Sequence, residues 1–262
     1  MAHFWNMRRI SAALIFGLMV AGVPANSAIP AQEHYTEGRY SEAISVGEAE
    51  GSSTGFMVAA RAAFADAELR ETPCLECLSH AEELARMAIS ADPENADAYL
   101  LFVAVLGRRA RLIGFFASQR EGVASQTDEA ISKALMLEPG SAFALAVRGA
   151  WHFEVVSQAG RFLGSTLYGA RAEDGQRYFA EAIAQEPENL VIRYQYALSL
   201  EAYGFDAERA EVEMALEAAT LGRPRDAYEG AINARATKLL GLLRDGMEEA
   251  FRDLMSRYRG DP

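Results

Sequence analysis

The chain has 262 residues, of which 50% are hydrophobic and 24% charged, and its formal net charge is −12 at neutral pH. This balance excludes a disordered chain and allows a sizeable core. The acidity argues against nucleic acid and against anionic membrane surfaces as partners, because both require a basic face.

At the N-terminus, Arg8 and Arg9 precede an apolar run from Ile10 to Ala21 and a small, turn-forming stretch from Gly22 to Ala28. The pattern reads as a secretory signal peptide over residues 1–28, cleaved near residues 25–28 at Ala25 or Ala28. The apolar run is shorter than the roughly 20 residues a membrane span needs. No cysteine stands at the junction to accept a lipid. Cleavage removes both arginines and no acid, taking the formal charge from −12 to −14. Residues 29–262 are therefore expected to form a soluble exported domain, periplasmic or secreted, with no membrane span after signal cleavage.

Beyond residue 30, apolar residues recur at intervals of three and four, as in Ala81, Leu84, Ala85 and Ala88. That period predicts helices. No alternating β-branched run is present, so no sheet is expected. Breaks near Gly51, Pro73, Pro93, Gly122, Pro139, Gly169, Pro187, Gly204, Pro224 and Gly246 divide the chain into about eleven helices. A recurrent motif places alanine five residues before proline at Ala88–Pro93, Ala134–Pro139, Ala182–Pro187 and Ala219–Pro224. A small residue lets two helices cross closely, and the proline ends the first helix while suiting the start of the next.

The motif, together with Gly38-Arg-Tyr-Ser-Glu-Ala43 and the opening Asn95, Ala98, Tyr99 and Phe102, resembles the tetratricopeptide repeat over roughly residues 32–258. The resemblance implies an all-α, right-handed superhelix of about four to five irregular helical hairpins. Its prolines are 46, 48 and 37 residues apart, against a family period of about 34. Two repeats therefore carry insertions, between Asn95 and Ser125 and between Ser141 and Gly164, which predicts lengthened first helices or an extra turn. A narrower resemblance, carried by Gly149-Ala-Trp-His152, Tyr168, Tyr178-Phe-Ala-Glu-Ala182 and Glu186-Pro187, is to regulator-of-microtubule-dynamics-type proteins. It is similar more distantly to the tetratricopeptide component of TRAP transporters. These resemblances imply a fold and a binding role without naming a partner.

Three groups of residues could carry chemistry. Cys74 and Cys77, the only cysteines, stand at the start of a helix and in an oxidising compartment would form a disulfide. A thiol-exchange role is the sharper alternative. His80 extends the pair to three possible metal ligands, one short of a closed zinc site, so no metal and no cofactor are expected. The second group is Arg148, Trp151, His152, Phe153, Arg193 and Tyr194. Repeat counting places Arg148, His152 and Arg193 where packing residues belong. They are either structural pairs, with Glu154 and Glu201 as available partners, or the lining of a groove for an anionic or aromatic group. The third is Arg108, Arg109 and Arg111, of which Arg108 and Arg111 share a helix face. They are either neutralised by neighbouring acids or a docking site for a carboxylate.

No nucleophile elbow, phosphate loop or His-Glu-x-x-His helix is present, so the chain is not expected to be an enzyme. The leading expectation is an exported scaffold that presents Phe143, Ala146, Phe153, Tyr194 and Glu201 in a concave groove to a protein or peptide of the cell envelope. The alternative is a carrier holding a small solute in a closed pocket beside Arg148, Trp151 and His152. A redox role through Cys74 and Cys77 is the third.

Overall fold

A computed structural model describes residues 30–261, with all side chains among them except those of 205–208. The signal-peptide reading of residues 1–28 lies outside the described residues. Twelve helical segments follow in order: α1 (Pro30–Thr36), α2 (Tyr40–Glu50), α3 (Ser53–Leu69), α4 (Leu75–Ala91), α5 (Ala96–Ile113), α6 (Phe115–Glu121), α7 (Val123–Leu137), α8 (Ala142–Leu167), α9 (Ala172–Gln185), α10 (Leu190–Leu221), α11 (Ala227–Arg244) and α12 (Glu248–Arg259). There is no strand among the described residues.

The alanine–proline motif sets the hairpins. Ala88, Ala134, Ala182 and Ala219 are all fully buried. Two residues after each proline stands a capping side chain, Asn95, Ser141, Asn189 or Asp226, whose oxygen accepts a backbone N–H of the next helix's first turn. Each satisfies a donor that the helix itself cannot, typically contributing about 1 kcal/mol. Proline, a one-residue spacer and the cap thus stop one helix and start the next.

Four full hairpins result: α3 with α4, α5 with α7, α8 with α9, and the two halves of α10, which breaks at Gly204. The halves of α10 double back, since a Cβ built on Gly222 would lie 2.6 Å from that of Leu190. Shorter pairs, α1 with α2 and α11 with α12, stand at the ends. At the α8–α9 crossing, Gly149 and Gly175 let the backbones approach. A Cβ on Gly149 would sit 2.7 Å from the Phe179 ring and 3.0 Å from the Gly175 carbonyl oxygen. One apolar cluster, with Leu84, Leu106, Ile131 and Trp151, holds the first half of the stack. A second, with Phe153, Phe179, Leu200, Leu216 and Phe251, holds the other.

The expected insertions take two forms. The first becomes α6, set off by left-handed Gly114 and Gly122. The second lies past Gly160, where φ of 79° interrupts α8 and residues 161–167 fold back. Gly164 there packs near Val156.

The superhelix also closes on itself. Arg235 of α11 donates to the Glu68 carbonyl of α3 at 2.8 Å, and the Tyr228 hydroxyl donates to the Glu68 carboxylate at 3.2 Å. At the chain's end, Arg111 of α5 donates to the Arg259 carbonyl at 2.8 Å, and Arg108 donates to the Tyr258 carbonyl at 3.3 Å. The last helices therefore cover the concave face of the first ones.

Candidate functional site

Closure narrows the groove to a partly open axial cavity of about 450 Å³. Its walls come from α3, α5, α6, α7, α8, α10 and α11, and residues 258–261 help to close it. Val103, Val123, Val147, Trp151, Val155 and Leu198 supply an apolar surface, because the inner faces of these helices carry their apolar stripe on the concave side. The polar part of the lining includes Glu68, Arg108, Arg111, Glu154, Tyr194, Tyr258 and Asp261.

Most of these charges are paired. Arg111 donates to Glu154 at 2.7 Å. Burial alone would raise the Glu154 carboxyl, but the Arg111 charge and hydrogen bond outweigh it and hold it below the ordinary carboxylate value. Arg259 pairs with Glu201 and Asp261. Burial nevertheless keeps the Glu201 carboxyl above its usual value, against the opposing charge of Arg259. Arg235 Nη1 lies 3.5 Å from Glu68 Oε1, within ion-pair range, but makes no hydrogen bond, and the buried hydroxyl of Tyr194 also has none.

Arg108 differs from its neighbours. Its hydrogen bond goes to a backbone carbonyl, and its guanidinium lies against Gly260, where a Cβ would come within 1.8 Å of Nη1. Burial pushes its pKa down from the ordinary arginine value, with the more distant Glu68 offsetting part of the effect. A cation so placed can hold an anionic group that enters the cavity.

The sequence-derived candidates do not converge on one place. Trp151 and Tyr194 line the cavity, with Phe143 and Ala146. The Trp151 indole N–H donates to Thr127 Oγ1 at 3.2 Å. Arg148 is buried against α7, where it donates to Ser132 Oγ at 2.7 Å and pairs with the Asp128 carboxylate. Its partner is thus neither Glu154 nor Glu201. His152 faces α9: its Nδ1 accepts the Arg171 backbone N–H at 3.1 Å, and its ring stacks on Tyr178. Burial, with Arg148 and Arg177 adding to it, lowers its pKa against the pull of Asp174 and Asp128. Phe153 is a core residue packed on Phe179, Tyr196 and Tyr203 rather than a groove residue. Arg193 donates to the Pro187 carbonyl at the hairpin turn.

The remaining motifs lie elsewhere. Cys74 and Cys77 are bonded to one another at the start of α4, outside the cavity lining. His80 turns to Glu48 at 2.7 Å rather than to the cysteines, and no group of three potential metal ligands occurs among the described residues. Arg109 points outward to Glu121 at 2.6 Å, whereas Arg108 and Arg111 share the inward face. Sequence reasoning missed Glu68, Tyr228, Arg235 and residues 258–261, because each meets the site through closure of the superhelix, without a local pattern.

The fold and cavity define a helical-repeat protein wound into a closed superhelix. The family model described as Regulator of microtubule dynamics protein 1-3 matches residues 40–243. The chain belongs to this family, and the match runs from the start of α2 almost to the end of α11. No curated protein matches the chain.

Proposed function

We propose that this protein is an exported, non-catalytic binding protein whose axial cavity holds a small amphipathic ligand with an apolar body and one anionic end. One observation carries the reading: a mostly apolar cavity bears Arg108, a cation whose hydrogen bond is to a backbone carbonyl. The cavity volume lies within the range of about 300–1,000 Å³ usual for small-molecule sites. An extended peptide in a repeat groove needs room at both ends. Contacts from α11 to α3 and from residues 258–259 to α5 obstruct that path, so the solute reading is preferred to the scaffold reading. The Cys74–Cys77 bond suits an oxidising compartment and supports export.

The test is native mass spectrometry of the protein isolated from its own envelope, followed by titration with a fluorescent long-chain fatty acid. Ala104 lines the cavity, and Ala104→Phe is expected to abolish probe binding by filling it. Arg108→Gln is expected to weaken the carboxylate probe about tenfold or more while sparing its alcohol analogue. A wild-type protein that retains no ligand and ignores both probes overturns the proposal.

A further inference from the structure

The two insertions carry an exposed apolar lip. No residue of α6 is buried, and within 161–167 Gly164 is the sole buried residue, so neither segment is needed to fill the core. They meet where the Tyr168 hydroxyl donates to Gln119 Oε1 at 2.8 Å. The described residues include four exposed phenylalanines, and three of them, Phe115, Phe116 and Phe162, stand on these segments. Phe116 is 83% and Phe162 77% exposed, with Leu163 and Leu167 also outside. Large apolar side chains grouped in this way mark an interaction surface.

The charge around the lip runs opposite to that of the whole chain. Arg108 and Arg111 turn to the cavity, and Arg109 is paired with Glu121 at the end of α6, which leaves Arg120 as the exposed cation of that helix. Between Glu154 and Glu173 there is no acid, with Arg161 and Arg171 present. Arg120 follows Phe116 by four positions and so shares its helix face. Arg120 and Arg171 are both exposed, and Arg161 is joined to Glu173 across 3.3 Å by two largely exposed side chains. In a chain of net charge −12, the most apolar exposed segments are thus locally cationic.

We infer that this lip docks on a phospholipid surface bearing anionic headgroups, with Phe116 and Phe162 entering the interface and Arg120 and Arg171 meeting phosphates. Aromatic side chains settle at the headgroup level, and arginines near it gain from negative surface potential. A second copy of the chain is a poorer occupant, because a two-fold contact would set these arginines against their own counterparts. The net negative charge, which by itself opposes an anionic surface, is screened beyond about 8–10 Å at physiological salt. Contact is therefore governed by the local charge. Phe115 belongs to both the lip and the cavity lining, so docking sets the cavity beside the bilayer. The inference goes beyond the ligand reading and stands whatever the cavity holds.

The experiment is vesicle flotation with the protein expressed with its own N-terminus and purified from the envelope fraction. Vesicles are phosphatidylcholine alone or phosphatidylcholine with phosphatidylglycerol. The wild type is expected to float with the anionic vesicles, less so at high salt. Phe116→Ser combined with Phe162→Ser, and Arg120→Glu combined with Arg171→Glu, are each expected to lower the bound fraction about tenfold. Unchanged thermal unfolding of these surface variants, together with unchanged fatty-acid binding, separates the lip from the cavity. No flotation of the wild type, or wild-type flotation by both variants, overturns the inference. So does a wild-type dimer that the phenylalanine variant converts to monomer, which would show a second copy on the lip.

Discussion

Replacing Arg259 with alanine tests whether the end of the chain holds the cavity shut. The Arg259 side chain pairs with Glu201, and its carbonyl receives the Arg111 hydrogen bond. Removing one partner of a fully buried ion pair costs about 3–5 kcal/mol, because the other charge is left uncompensated. Here the two side chains retain 16% and 12% exposure, so water reaches Glu201 and about 2–3 kcal/mol is expected. In a domain of this size each kcal/mol moves Tm by about 2–4 °C, which puts the fall at about 4–12 °C. The loss depends on pH. Glu201 already has a raised carboxyl pKa in the folded protein, from burial, so the folded state binds that proton more tightly than the unfolded one. Stability then falls as pH rises from the ordinary glutamate value, about 4.3, through the higher folded value. Without Arg259 the rise is larger, so the deficit should be greater at neutral pH than near pH 4. Thermal unfolding at both pH values measures it, and Glu201→Gln in the Arg259→Ala background should recover most of the loss. A variant within about 0.5 kcal/mol of wild type at both pH values would refute the closing role of Arg259.

Two further changes test the packing behind the cavity. Gly149→Ala places a methyl group 2.7 Å from the Phe179 ring and should cost about 1–3 kcal/mol by overpacking; an unchanged urea midpoint would show that α8 and α9 have slack at their crossing. His152 has a depressed pKa, and its Nδ1 accepts a backbone N–H, so the folded state releases its proton more readily than the unfolded one. Its contribution is complete above the unfolded value of about 6.5 and is lost as pH falls below it. The stability–pH curve of His152→Asn, whose amide oxygen can still accept that hydrogen bond, should be flatter below pH 6.5. Parallel curves would assign the pH dependence to other groups.

The hairpin grammar was legible because it is local. An alanine, a proline five residues on and a cap two residues beyond that act over less than two helical turns, and the four alanines are all buried. Repeat counting also places Arg148, His152 and Arg193 where packing residues belong, and Arg148 and His152 are buried whereas Arg193 is half-buried. The partners were not legible. Glu154 is six positions after Arg148, about 240° around the helix, so the two side chains leave α8 in different directions. Arg148 instead finds Asp128 on α7, and Glu154 finds Arg111 on α5. Repeat counting groups Phe153 with Phe143 and Ala146 on the inner face, yet Phe153 stands two positions after Trp151, about 200° around the helix. Trp151 therefore lines the cavity while Phe153 fills the core.

Closure of the superhelix joins segments far apart in the chain. Arg108 and Arg111 occupy the last turns of α5, the part of that helix nearest the insertion, and there they meet the carbonyls of Tyr258 and Arg259. The shared face of these two arginines could be read from their three-residue spacing. That the face is concave and covered could not, because it depends on residues about 150 positions later. The family match ends at residue 243, before α12 and the residues that meet Arg108 and Arg111. The closing contacts of Tyr228 and Arg235 with Glu68 lie inside the match, and Phe251 of α12 belongs to the core cluster. The insertions add the exposed lip of α6 and residues 161–167. Arg108 and Arg111 lie within α5, before α6, so the lip and the contacts with residues 258–259 rest on different segments and can be perturbed apart.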